Sequence, residues 1–323
     1  MATRQGLQAK SFVLAAEAYR DAVGAAMSPD SLQRITEGWG QAVEAQRVME
    51  AQQVFEGEEM NPGCAAPILK GRDPIRGPAN LSTDGGMILL RQEGWKEVKL
   101  SVISQVERKP DERNGEIRVL LKSHSYQAGL WEADEMGQHQ YLEGLRRDLA
   151  SCARLSSVND GAPWIERITS YNYPQAVQII DWGHADERVW KVAKAAFGEG
   201  SQPAQQWAES CLERLWEGRP EDVVCALQAL DWNTIACSED VRNSPSYFKT
   251  RQQKMDYARF RQEGYPIGSG TVESGVNTVV HHRMKRQGRG WKRENGQAML
   301  AALSELHSRR FEITWQSILA SPN

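Results

Sequence analysis

The chain has 323 residues, with 42 acidic against 39 basic side chains, a formal charge of −3 and 40% hydrophobic content. That is enough apolar material for a globular protein of one large domain with an appendage, or of two domains. Its longest apolar runs, such as residues 12–16 and 176–180, are too short to cross a bilayer, and residues 1–20 lack a signal-peptide pattern. Five cysteines, odd in number and with no C-x-x-C pair, argue against a disulfide framework and against a thiolate zinc site.

Residues 11–56 read as helix. Phe12, Leu14, Ala15, Ala18, Tyr19 and Ala22 recur at helical spacing until Gly24 breaks the run. A second helix begins with Ser28 as N-cap and Pro29 at the first helical position, and Leu32, Ile35, Trp39, Val43 and Val48 continue its stripe. Two helices joined by a short Gly-containing turn fit a helix-turn-helix, so residues 1–56 form an expected small N-terminal helical region. Residues 57–79, where Pro62, Pro67, Pro74 and Pro78 alternate with glycines, read as a linker or irregular strap.

Three strands follow, over residues 80–83, 95–107 and 116–122, then a helix over 133–150 and two buried strands over 154–158 and 176–180. The remainder to Glu263 reads as helices broken at Gly198 and Gly200, at Gly218 and at Pro245. The order implies an α/β fold with a mixed central sheet. Its core divides into residues 80–185 and 263–310, with a helical insertion over 186–262 before the last core helix and a tail over 311–323.

Asp84, in STDGG, and Asp160, in VNDGAPWI, each close a strand-like run at an Asp-Gly pair. At Asp84 the two glycines are expected to let the chain turn and leave the carboxylate uncovered. A simple Asp-Gly turn explains either one alone. Two strand ends with an exposed Asp point to chemistry, because catalytic groups gather at strand ends of α/β sheets. Glu273 follows YPIGSG and falls in the first turn of a helix, where the helix dipole favours an ionised carboxylate. Its plain role there is a helix-terminal charge. Together the three make a hard, all-oxygen set suited to Mg²⁺ or Mn²⁺.

Asp181 and His184, in IIDWGHADERVW, stand at a strand-to-helix junction with no further Cys or His at zinc-ligand spacing. A hydrogen-bonded Asp and His bracing the wall of the site is the expectation. The one strongly basic stretch, HHRMKRQGRGWKR, contains Arg283, Lys285, Arg286, Arg289, Lys292 and Arg293 with Trp291 among them. These residues could grip phosphates while Trp291 stacks on an unpaired base; a solvated basic face with Trp291 in the core is the plain alternative.

STDGG followed by WKEVKL, then NDGAPWI, IIDWGHADERVW, and YPIGSGTVESG running into RMKRQGRGWKRENGQAML resembles, in that order, the DDE insertion-sequence transposases of the Kra lineage, relatives of the Mutator-like group. The likeness spans roughly residues 28–310. It implies an RNase H-like core in which Asp84, Asp160 and Glu273 hold two divalent cations. The helical insertion falls between the last two, and Asp181 with His184 fits the accessory C/D-x-x-H motif. The competing assignment makes Asp181 the second ligand and Asp160 structural; the Asp-Gly pair closing the fourth strand favours Asp160. The implied reaction is two-metal cleavage at element ends and transfer of the 3′-OH into target DNA. The implied partners are element-end and target DNA and further copies of the chain, as a homodimer or higher oligomer, with no membrane, in a cytoplasmic, nucleoid-associated protein. Members of the group begin with a longer segment ahead of the helix-turn-helix, so the shorter start bears on end recognition rather than chemistry. Two other readings remain: a structure-selective nuclease of the same fold, and a non-catalytic DNA-binding descendant.

Overall fold

The computed structural model describes residues 1–60, 69, 71, 73–110, 117–286 and 289–320. The protein is α/β, built on a mixed five-stranded sheet. Strands β1 (Ala79–Leu90), β2 (Gly94–Pro110) and β3 (Ile117–Gly129) form an antiparallel meander. Strands β4 (Leu155–Asn159) and β5 (Val177–Ile180) add in parallel on the other side of β1, giving the order β3-β2-β1-β4-β5.

At the N-terminus, α1 (Ala2–Gln8) precedes α2 (Phe12–Val23) and α3 (Pro29–Met60). The expected break and start both hold. Gly24 ends α2 in the left-handed region at φ 73°, and the Ser28 hydroxyl accepts the Ser31 N–H (3.1 Å) at the head of α3. These helices share the core of the sheet. Leu7, Trp39 and Val43 are buried with β1, β2 and α14 (Arg293–His307), and Trp39 packs on Phe311 with ring centroids 4.6 Å apart. Phe311 opens α15 (Phe311–Ala320), so the expected C-terminal tail is a packed helix: Phe311 and Thr314 are its buried face. Much of the expected linker lies outside the described residues. The described part is packed rather than loose, with Leu69 against Val54 and Leu142, and Ile75 against Leu81.

After β3 comes α4 (Ala133–Arg147), then a short 3₁₀ turn, Leu149–Ser151. Between β4 and β5 runs α5 (Pro163–Asn172), a helix not expected between the strands at 154–158 and 176–180. Pro163 is the opening residue of that helix, and Ile165, Ile168 and Thr169 are its buried face. A parallel strand pair needs such a crossover, because a tight turn cannot return the chain to the same end of the sheet. Helices α6 (Trp182–Phe197), α7 (Gln202–Trp216), α8 (Pro220–Gln228), α9 (Glu239–Arg242), α10 (Ser244–Arg251) and α11 (Tyr257–Glu263) then form a block with its own core, anchored on Val158, Ile179 and Ile180. Gly198, Gly200 and Gly218 punctuate it with φ of 94°, 73° and 75°.

The chain returns to the sheet as one continuous helix. It starts as α12 (Gly270–Gly275), widens into a π-helical stretch, Val276–His281, and ends as α13 (His282–Met284). A buried ionic cluster ties α4 to the C-terminal helices: Arg310 holds Glu143 (2.6 Å) and Glu305 (3.0 Å), and Arg146 pairs with Glu143 and Glu50. No helix among the described residues is long and apolar enough to cross a membrane.

Candidate active site

The register between β1 and β4 brings two of the three candidate carboxylates together. Ala79 pairs with Leu155, Asn80 with Ser156 and Leu81 with Ser157. Two residues on, the Asn159 side-chain oxygen accepts the Thr83 N–H (2.6 Å), keeping the two strands in contact past their last backbone pair. Asp84 follows Thr83 and Asp160 follows Asn159 at the end of β4, and the charge of Asp160 reaches Asp84.

Asp84 lies in the middle of β1 rather than at its end, which corrects the expected turn. Gly85 and Gly86 continue the strand, paired with Lys99 and Val98 of β2, and the chain reverses only beyond Leu90. Gly86 serves a close approach instead. A Cβ there would lie 2.7 Å from Val276 Cγ1 and 3.1 Å from His281 Nε2, both on the returning helix. Gly275 is in similar contact, with Leu100 and Tyr126 beneath it. Because Asp84 and Gly86 point to one face, that face is the one α12 covers. Glu273 sits one turn before Val276 on the same side of the helix.

The electrostatics agree with this placement. Burial raises the Asp84 carboxyl above its ordinary value, the charges of Asp160 and Glu273 push it further, and the Gly85 N–H bond (2.7 Å) and His184 oppose the rise. Asp160 accepts the Ala162 N–H on one oxygen (2.8 Å), and its carbonyl accepts the Tyr247 hydroxyl (2.8 Å). Glu273 is solvent-exposed and accepts a bond from the Ser269 hydroxyl (3.3 Å). Among the described residues, no three His, Cys, Asp or Glu side chains are gathered closely enough to hold an ion. The donor set nevertheless fits a divalent cation in kind. It is all carboxylate oxygen, and the charges of Asp160 and Glu273 both act to raise Asp84.

Asp181 has a different environment. It is 4% exposed and caps α6, with one oxygen accepting the His184 backbone N–H (2.9 Å) and the other the Ser269 N–H (2.7 Å). The expected side-chain bond between Asp181 and His184 is therefore replaced by a backbone cap. The His184 side chain is exposed and acts on Asp84 by charge. Ser269 joins the two acidic groups, its N–H to Asp181 and its hydroxyl to Glu273. The sequence reading passed over it; a hydroxyl four residues ahead of Glu273 was the available signal.

The basic segment lies at the far end of β1. Trp291 pairs with the strand through backbone bonds to Leu89 (2.9 Å) and Arg91 (2.7 Å), and its indole N–H donates to the Met284 carbonyl (3.0 Å). It is half-buried against the main core with its indole N–H already used, and part of its ring lines a cavity. Arg283 is buried between Phe12 and Trp291, with its guanidinium 4.3 and 5.4 Å from the two rings. Arg293 pairs with Glu93 (2.5 Å), while Lys285, Arg289 and Lys292 are exposed.

No family model matches the chain, and no curated protein matches it. The functional reading therefore rests on the residues and their arrangement.

Proposed function

We propose that this protein is a DDE-type transposase whose mixed sheet is an RNase H-like core, with residues 186–262 as the helical insertion. One observation carries the reading: Asp84, on the sheet face covered by the helix bearing Glu273, is within reach of the charges of both Glu273 and Asp160, the residue that follows Asn159 in its contact with Thr83. A meander followed by two parallel strands, with a helix returning to lay a third carboxylate over the central strand, suits phosphoryl transfer on DNA.

In this reading Asp84, Asp160 and Glu273 hold the metal. Asp181, with both oxygens committed to backbone N–H groups, is a positioning residue acting through Ser269. Two Mg²⁺ or Mn²⁺ ions would supply Lewis acidity toward the attacking and leaving oxygens. Asp84 is half-buried, and the Ser269 hydroxyl steers Glu273. Lys285, Arg289 and Lys292 hold backbone phosphates of the element end and target by charge. Water first displaces the 3′-oxygen from phosphorus at the element end. The freed 3′-OH then attacks a target phosphodiester, forming one P–O bond as another breaks. Paired ends call for a homodimer or larger assembly on DNA.

The test is cleavage and strand transfer on labelled DNA carrying candidate element ends, with Mg²⁺, Mn²⁺ or EDTA. Metal-dependent joined products that vanish in Asp84→Ala, Asp160→Ala and Glu273→Ala support the reading. Cleavage without joining identifies a nuclease. Binding without cleavage identifies a non-catalytic DNA-binding protein.

A further inference from the structure

Between the N-terminal helices and the basic segment lies a cavity of about 420 Å³, well apart from the carboxylates. Its lining includes four arginines, Arg91, Arg283, Arg286 and Arg289. It also carries Gln33, Glu37 and Asn295: Gln33 and Asn295 each donate to one Glu37 oxygen, at 2.9 and 2.8 Å, and the Glu37 charge reaches Arg283 and Arg91. Phe12 and Trp291 add aromatic surface.

The cationic lining is unfinished. Arg283 is 3% exposed and spends its Nε on the Gly6 carbonyl (3.1 Å), but its Nη2 is buried with no hydrogen-bond partner among the described residues. Arg286 likewise gives one terminal nitrogen to the His282 carbonyl (3.2 Å), and its buried Nε has no partner among the described residues. A buried guanidinium nitrogen without an acceptor is costly, and two in the lining of one cavity call for an anion. Planar arginine forks suit phosphate in particular.

Phosphate alone leaves the rest of the cavity unexplained. Its size falls in the range of small-molecule sites. The amide and carboxylate groups offer both donors and acceptors to a heterocycle edge, and aromatic surface suits a flat ring. We infer that this cavity binds one nucleotide, with its phosphate on Arg283 and Arg286 and its base edge on Asn295, Glu37 and Gln33. A paired base cannot present its edge there, so within DNA the nucleotide is an unpaired one. Arg283 lies ten residues beyond Glu273 on the same helix, about 15 Å at 1.5 Å per residue. An unpaired nucleotide there would be on the order of four duplex steps from the scissile bond. This assignment rests on the DNA-processing reading for its source, and on the cavity alone for its chemistry.

The test uses the full chain in EDTA, so that binding is read without cleavage. Three probes are compared: a blunt duplex, the same duplex with a single-stranded extension containing 2-aminopurine, and dAMP. Wild type should bind the extended duplex at least ten-fold more tightly than the blunt one, with a 2-aminopurine emission change that dAMP competes away. Arg286→Ala and Asn295→Ala should lose that preference with unchanged melting temperatures, while Asp84→Ala keeps it. Binding of dAMP without preference for the extension supports the cavity chemistry and makes a free nucleotide its source. Equal binding of both duplexes with no dAMP binding, or an undiminished preference in folded Arg286→Ala and Asn295→Ala, overturns the inference. A preserved preference in a protein that never cuts DNA with metal would sink the transposase reading and leave this one standing.

Discussion

Replacing Gly86 with alanine tests how the site is assembled, because the added methyl would act on the Glu273 helix rather than on any carboxylate. The new Cβ would lie 2.7 Å from Val276 Cγ1 and 3.1 Å from His281 Nε2. His281 can swing aside, whereas Val276 is β-branched and stiff about χ1. Ordinary carbon contact begins near 3.5 Å, so the helix must lift by roughly 1 Å. Overpacking of this kind costs about 1–3 kcal/mol, and the stiffer unfolded chain returns about 0.4–1. The expected net loss is about 1–2 kcal/mol in urea unfolding. Metal-dependent cleavage should fall about 100-fold, the usual effect of a 1 Å misplacement of a reacting group. Gly85→Ala is the internal control, since its methyl would meet the end of the exposed, flexible Glu97 side chain instead. If Gly86→Ala and Gly85→Ala behave alike in both assays, the close approach does not position Glu273.

Three further outcomes follow from the same geometry. Ser269→Ala should leave unfolding within about 1 kcal/mol of wild type yet lower cleavage roughly ten-fold, because Glu273 loses its hydroxyl donor while the backbone bond to Asp181 stays. Asp181→Asn should do the reverse in emphasis, losing about 1–3 kcal/mol of stability as one of two buried N–H donors loses its acceptor. The third concerns pH. Burial acts to raise Glu143 and Glu305, but Arg310 and Arg146 outweigh it and hold both at about 2, against an ordinary value of 4.5. Depressed carboxyls stabilise the folded state above their ordinary value and lose that contribution as pH falls toward the folded one. The urea midpoint should therefore drop between pH 4.5 and 2, and Glu143→Gln should flatten that drop while costing about 3–5 kcal/mol at neutral pH. An unaltered acid profile in Glu143→Gln would remove this cluster from the account.

Local signals in the sequence were sound where the physics is local. Gly24, Ser28 with Pro29, and Gly198 and Gly218 each mark a helix boundary through a cap or a positive φ that neighbouring residues alone determine. The strand expected over residues 95–107 likewise forms, as β2. Signals that depend on partners were misread. Gly85–Gly86 looks like a turn in isolation, and only the helix returning nearly two hundred residues later makes Gly86 a packing requirement. Pro163 suits a turn and a helix start equally well, so α5 is visible only once β4 and β5 are known to be parallel. Asp84, Asp160 and Glu273 could be picked out by residue type and position, but their approach depends on register between β1 and β4, which no single segment encodes. Arg283 was grouped with an exposed basic run; its burial comes from Phe12, far away in sequence.

The π-helical stretch Val276–His281 sits between Glu273 and Arg283 on one helix. A widened turn of this kind amounts to one residue more than an α-helix of the same length would carry. Removing a single residue there would restore regular winding and leave the flanking segments near their present angle, because the extra residue is what the widened turn absorbs. Removing one from a regular α-helical turn would instead rotate everything beyond it by about 100° and swing Arg283 and Met284 out of register with Phe12 and Trp291. The same one-residue deletion would thus be absorbed in one part of the helix and would separate the two ends of the working face in another.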